Sequence, residues 1–412
     1  MNKPILYLSY DGLTDPLGQS QILPYIFGLE QKGFQFIIIS FEKRSRYELG
    51  EEGIRSLIGA KKIKWIPFRY HKKPPVLSTP YDLWLMRKES EKIVKNNEVE
   101  LVHCRSYIPG LVGLFLKKNF GVKFLFDIRG FWADERVDGG LWNLSNPVFK
   151  WIYNYFKSKE AKMMIHSDHI ISLTYAGKEE IVSGRLFGNR KVKIEEKKVT
   201  VNPCAVDLGL FDSEKIQHDK LLKLRNQLGI RQNDKIMIYL GSVGTWYLLE
   251  EMIIFFRKWL EIDQYYRFLI VTKDNHLQVK EKFIQTGLSP NKLILTESNR
   301  DEVPYHIALA NVGIFFIKPA YSKKASSATK MGELLAMGLP IITNDGVGDA
   351  EILLQHERNC YCINPYSYDV ELLKKMMRTI DQESNDLRNF AKEHFALEKG
   401  VSSYEKVYCN LL

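Results

Sequence analysis

Ser326-Ser327-Ala328-Thr329-Lys330-Met331-Gly332-Glu333-Leu334-Leu335-Ala336-Met337-Gly338-Leu339-Pro340-Ile341-Ile342-Thr343-Asn344 reads as a loop, a helix and a strand in succession. Small polar residues open the helix, Gly338 and Pro340 stop it, and an apolar run follows. Outward from this passage the same alternation recurs. Val312–Ile317 precedes it, and Lys235–Leu240, Phe268–Val271 and Lys292–Leu295 extend the series upstream. The first half repeats the pattern with Ile5–Tyr10, Phe34–Ser40, Leu101–Cys104, Lys123–Asp127 and His169–Leu173, separated by helical stripes at Ser20–Lys32, Tyr81–Asn96 and Pro147–Ile165. Strands alternating with helices of this length predict α/β units with parallel sheets covered on both faces.

The joint Val201-Asn202-Pro203-Cys204-Ala205-Val206-Asp207 separates the two series. The expectation is two doubly wound, Rossmann-like domains, residues 1–207 and 208–390, facing across a cleft. Asn385–His394 and Val401–Leu412 read as helices after the strands have ended. Tyr404, Val407, Tyr408, Leu411 and Leu412 at helical spacing predict that the tail, 391–412, packs back on the first domain.

Composition narrows the function. The chain has 412 residues, 45% hydrophobic and 12% aromatic, enough to bury a large core and exclude global disorder. No apolar run approaches the ~18 residues a membrane span needs. The opening Met1-Asn2-Lys3-Pro4-Ile5 leads straight into a strand, so no signal peptide is read there. Five scattered cysteines suit a reducing cytoplasm. Cys360, Cys362 and His356 supply three of the four ligands a structural zinc needs, at poor spacing, and read as packing.

The net charge of +10 is unevenly placed: residues 1–200 carry 33 basic and 22 acidic side chains, the remainder 26 and 27. A basic first half points to an anionic partner, whether substrate, membrane surface or nucleic acid. No recognition-helix or RNP pattern accompanies the charge, which argues against nucleic acid. The aromatic-basic stretch Phe149–Lys157 is one candidate patch, for which a plain solvated surface is the first reading. The helix Pro147–Ile165 that carries it, with Trp151, Tyr155 and Phe156, reads first as core packing, with a membrane-resting face as its alternative.

In doubly wound sheets, ligands meet the loops at the carboxyl ends of the strands. Gly18 lies in the first such loop, before a helix N-terminus suited to an anion. Gly241-Ser242-Val243-Gly244 repeats the device in the second series. Neither loop carries a dinucleotide fingerprint or a P-loop. Lys330 and Glu333 stand one turn apart, which suits a phosphate and a ribose diol; an ordinary surface ion pair fits the spacing equally. Asp127-Ile128-Arg129 and His103-Cys104-Arg105 end first-domain strands. Arg105 and Arg129 are candidates for a diphosphate or anionic acceptor, and Asp127 or Glu135 for an acceptor hydroxyl. An ion pair within Asp127–Arg129 is the equal alternative, and His103 reads as a core histidine.

The Ser326–Asn344 passage resembles the donor motif of retaining glycosyltransferase family 4, which has the GT-B fold. Gly18-Gln19-Ser20-Gln21, Asn202-Pro203 through Asp207 with Phe211, and Gly346-Val347-Gly348-Asp349-Ala350-Glu351 extend the resemblance over nearly the whole chain. It implies that Glu333 is the second Glu of the family's E-x7-E motif, on the nucleotide ribose. The first falls at Ala325, where a Ser-Ser-x-Thr-Lys loop stands in, so Ser326, Ser327 and Lys330 take the donor role. Gly241 is followed by Ser242 rather than a basic residue, and Lys273 is expected to supply a positive charge. The implied activity is transfer of a sugar, with retention, from a nucleotide-diphosphate sugar to a glycan or lipid-diphosphate-linked hydroxyl in surface polysaccharide assembly. Lys330, Arg129, Asp127 and Arg105 are its expected catalytic set. No Asp-x-Asp occurs, so neither a metal nor another cofactor is expected. The expected place is the cytoplasm, with an anionic membrane surface as partner. A non-catalytic adaptor and a sugar-nucleotide epimerase of the same fold are the rival readings.

Overall fold

The computed structural model describes residues 3–97, 99–188, 190–357, 359–380 and 386–412. Met1 and Asn2, and Asn385 at the start of the expected 385–394 helix, lie outside them. By internal contacts the chain divides into two compact units. One runs to Pro203 and includes Leu397–Leu412; the other is Cys204–Ala396.

The first unit is built on β1 (Ile5–Ser9), β2 (Phe36–Glu42), β3 (Ile63–Arg69), β4 (Leu101–Arg105), β5 (Lys123–Asp127), β6 (His169–Ser172) and β7 (Val199–Val201). Their order is β3-β2-β1-β4-β5-β6-β7 and every pair is parallel. β1, β2 and β4 are buried along their whole length, as near-continuous apolar runs require when helices cover both faces. Topology reverses between β1 and β4, so the carboxyl ends of these strands flank the switch point where such sheets hold ligands. The sequence patterns miss β3, which contains Pro67 and exposes much of its length. As an edge strand it tolerates both.

The C-terminal helix Leu397–Leu411 packs on helix Leu23–Gln31 of the same unit. Its Tyr404 ring meets Tyr25 edge-on at 5.4 Å, and Asn202 Nδ2 donates to Gly400 O at 3.2 Å. Of the spacing that marked the tail, Tyr404, Val407 and Tyr408 are buried, whereas Leu411 is half-buried and Leu412 exposed.

The second unit contains β8 (Lys235–Leu240), β9 (Tyr266–Val271), β10 (Leu293–Thr296), β11 (Val312–Ile314), β12 (Ile341–Asn344) and β13 (Tyr361–Ile363), in the order β10-β9-β8-β11-β12-β13, again all parallel. Helix Thr329–Ala336 connects β11 to β12 and is buried over most of its length. Cys360 and Cys362 flank and join the edge strand β13, and no group of three metal-ligating side chains occurs among the described residues. No helix of the described residues is long and apolar enough to cross a membrane.

Candidate active site

In the second unit, β8 ends at Leu240 and Gly241 turns the chain with φ of +110°. That angle favours glycine, and so does the space: a Cβ there would lie 3.3 Å from Lys330 Nζ. The Lys330 ammonium thus rests against the loop backbone. It stands 3.8 Å from the ring centroid of Tyr247 and 4.4 Å from that of Tyr239, and donates to Tyr239 Oη at 3.2 Å. Burial pushes its pKa down to about 7, against the pull of Glu333. A buried ammonium that faces aromatic rings and a hydroxyl, with no carboxylate bonded to it among the described residues, is electrostatically prepared for an anion.

Glu333, one turn on, points to a different partner. Its Oε1 accepts from Arg300 Nη1, and the Arg300 guanidinium lies 4.7 Å from the Phe211 ring centroid. Lys330 and Glu333 therefore form no ion pair with each other, which removes the surface-pair alternative. Glu333 Oε2 accepts no hydrogen bond among the described residues.

The neighbouring loops hold each other. Ser242 Oγ and Val243 N both donate to Asp274 Oδ2 at 2.7 Å. Ser327 Oγ accepts from Cys204 N at 3.1 Å, while Ser326 is half-buried. Ala325 is fully buried, and Lys273 is exposed beside Asp274. The structure thus gathers Lys330 and Gly241 at one point and Glu333 close by. It engages Ser242 and Ser327 in loop bonds and leaves Lys273 at the surface. Arg300, Asp274, Tyr239 and Tyr247 escape sequence reasoning, because each comes from another strand end with no local pattern.

In the first unit the strand-end loop is organised by the buried Glu42. Its carboxylate accepts from Leu13 N at 2.7 Å, Thr14 N at 3.1 Å and Ser40 Oγ at 2.5 Å. Gly18 packs against that loop: a Cβ on it would sit 2.1 Å from Gly12 O and 2.7 Å from Leu13 Cα. Close backbone contact by itself calls for a glycine here. Gly18 lies inside helix Pro16–Gln21 and not in the loop before a helix; that helix follows the buried Asp15, bound by Lys43 at 2.9 Å and Arg46 at 3.1 Å. Gly18→Ala is expected to lower stability by about 1–3 kcal/mol through overpacking, seen as a lower urea unfolding midpoint. An unchanged midpoint would show that the loop yields.

At the end of β5, Asp127 is fully buried. Its Oδ2 accepts from Tyr404 Oη at 2.8 Å and lies 3.5 Å from His103 Nε2, 3.8 Å from Arg129 Nη1 and 4.0 Å from Arg105 Nη1. Burial acts to raise the Asp127 pKa, but Arg129, His103 and Arg105 together hold it below the usual carboxylate range. His103 Nδ1 meets Tyr408 Oη at 2.6 Å, and burial lowers its pKa. Arg129 has φ of +54°, a strained left-handed conformation for a residue with a side chain. Arg105 also approaches Asp11 at 3.6 Å, and Glu135 is half-buried on helix Trp132–Asp138. Asp127 thus serves as counter-ion to both arginines, with its carboxylate closed off from solvent. The tail supplies two tyrosines to this cluster, a role that their spacing alone did not reveal.

Residues 25–210 match the model of Glycosyltransferase Family 4, and residues 222–394 that of Glycosyl transferases group 1. No curated protein matches the chain in sequence. Solved structures share its fold over the full length. A glycosyltransferase from Rickettsia africae is 18% identical with a TM-score of 0.68, covering 100% of this chain and 99% of its own. Sucrose-phosphate synthase from Thermosynechococcus elongatus is 15% identical with a TM-score of 0.71, covering 100% and 99%. Anabaena HepE in complex with UDP and glucose is 13% identical with a TM-score of 0.69, covering 99% and 100%.

Proposed function

Because the chain is a glycosyltransferase, joining a family 4 region to a group 1 region in two Rossmann-like units, we propose that its second unit binds a nucleotide-diphosphate sugar through Lys330 and Glu333. The observation that carries this reading is the Lys330 ammonium, buried among tyrosines against Gly241 with no carboxylate bonded to it among the described residues. The UDP-bound state of the similar Anabaena protein supports a diphosphate donor.

In this reading the ribose diol takes the open Oε2 of Glu333 and the diphosphate takes Lys330. The bond from the sugar's anomeric carbon to the diphosphate oxygen breaks, and its electron pair leaves with the diphosphate. The acceptor hydroxyl bonds to the same face of that carbon and passes its proton to the departing phosphate oxygen, so configuration is retained. Stabilising the departing charge is the protein's main contribution. That task falls to Lys330 and the N-terminus of helix Thr329–Ala336, without a metal. Arg105, Arg129 and Glu135 serve the acceptor, a hydroxyl on a glycan or a lipid-linked diphosphate of surface polysaccharide assembly, at the cytoplasmic face of a membrane.

Calorimetric titration with UDP, GDP, dTDP and ADP, in EDTA, tests this. One nucleotide is expected to bind selectively, and Glu333→Ala to weaken it by ~10-fold or more, the scale of a lost charged hydrogen bond. Failure of all four to bind would favour a non-catalytic adaptor.

A further inference from the structure

Helix Pro147–His166 has two faces. Lys157, Glu160, Met163 and Met164 are buried, whereas Val148, Trp151, Tyr155, Lys159 and Lys162 follow helical spacing along the outside. Trp151 is 69% exposed and Tyr155 40%. Of the aromatic run, Phe156 turns inward against Trp132 and Trp142, and Tyr153 donates its hydroxyl to Asp134 at 2.8 Å. Core packing, the first reading of this stretch, therefore does not hold for Trp151 and Tyr155. Helix Pro75–Asn97 carries a matching outer stripe of Leu77, Tyr81, Trp84 and Lys88, with Trp84 52% exposed. Each helix stacks two of these rings: Tyr81 on Trp84 at 6.1 Å, Trp151 on Tyr155 at 6.0 Å.

Both helices pack on helix Tyr107–Phe120, and the three enclose a groove of about 330 Å³. Its floor is apolar, with Leu83, Leu111, Leu114 and Phe115. Four cations, Arg87, Lys118, Lys159 and Lys162, line the groove, and no carboxylate does. None of the four joins an ion pair among the described residues. Lys117, next to Lys118, instead binds Asp168 at 2.8 Å. The Arg87 guanidinium is held 3.6 Å from the Phe115 ring centroid, and Lys159 lies 5.3 Å from that of Tyr155.

An apolar floor under uncompensated positive charge matches an anionic amphiphile. Exposed indoles beside it match the headgroup layer, where amphipathic rings settle. We infer that this three-helix face seats the protein on an anionic phospholipid bilayer, with a lipid phosphate in the groove and Trp84 and Trp151 in the headgroup region. All of its residues lie in the first unit, and none belongs to the Lys330–Glu333 site, so the two readings fail separately.

Co-sedimentation of the full chain with vesicles tests this. Binding is expected to phosphatidylcholine–phosphatidylglycerol mixtures, weakening as salt rises, with little to phosphatidylcholine alone. Lys159→Glu with Lys162→Glu is expected to lower partitioning by at least ~25-fold, at about fivefold for each lysine removed. Trp84→Ala with Trp151→Ala is expected to weaken binding while preserving its salt dependence. These side chains are largely outside the core, so thermal unfolding and nucleotide titration should match wild type, and that match shows the variants fold. Equal binding to neutral vesicles, or wild-type partitioning by the double lysine variant, would overturn the inference. So would a single-stranded oligonucleotide that binds as well as vesicles and is lost in the same variants, which would make the face a nucleic-acid surface.

Discussion

Lys330→Met is expected to abolish donor binding and, at neutral pH, to raise the melting temperature of the unliganded protein. The two effects share one cause. Lys330 is buried against Tyr239 and Tyr247 and its charged form is disfavoured there, with its pKa down at about 7. Methionine has similar length and no charge, so it relieves that penalty. It also removes the ammonium that a diphosphate would meet. Removing one preorganised charge-stabilising group lowers transfer by ~10²–10³-fold. A variant that melts higher and still binds nucleotide as wild type would take Lys330 out of the site.

The pH dependence follows in sign. Below about 7, Lys330 is protonated in both folded and unfolded chains and the burial penalty acts in full. Between that value and the unfolded lysine's ~10.4, the unfolded chain holds the extra proton, so stability rises with pH. The melting advantage of Lys330→Met is therefore largest at or below neutrality and shrinks toward pH ~10. Donor binding shows the reverse trend, since a diphosphate favours the ammonium. Affinity should fall as pH rises through about 7, with proton uptake on binding visible as heats that differ between buffers.

The elements that could be read directly are those whose burial is two-sided. β1, β2 and β9 are apolar runs with no competing pattern, and turn residues bound them. β3 and β13 lie at sheet edges, where one side is left unpaired and mixed composition is tolerated, so β3 gave no apolar run and β13 looked like a cysteine cluster. Lys330 and Glu333 stood out because their relation is local, one turn of one helix. Their partners Tyr239 and Arg300 come from β8 and from the loop beyond β10, and only the sheet order brings them together. The Asp127 cluster shows the same limit. Asp127, Arg129 and Arg105 were visible at strand ends, but Tyr404 reaches Asp127 from 277 residues further along the chain.

That distance sets up the second large effect. Asp127→Ala is expected to destabilise the protein by ~3–5 kcal/mol, the usual loss when one member of a buried charge cluster is removed. Arg105 and Arg129 would lose their shared counter-ion, and Tyr404 its acceptor. Asp127→Asn keeps an oxygen for Tyr404 but no charge, and should fall between alanine and wild type. Tyr404→Phe removes one hydrogen bond and should lose about 1–2 kcal/mol. Acid supplies a check on the charge. The carboxyl is held below its ordinary value when folded, so its stabilisation is present above the unfolded value of ~3.9 and is lost as pH falls through the folded one. The gap between wild type and Asp127→Asn in urea midpoint should hold constant near neutrality and narrow only at strongly acid pH. A gap that closes already between pH ~5 and 7 would mean the carboxyl is protonated in the folded protein. If the gap behaves as expected, Asp127 is ionised in the folded protein and its charge holds Arg105 and Arg129, with the C-terminal helix joined to the same cluster through Tyr404.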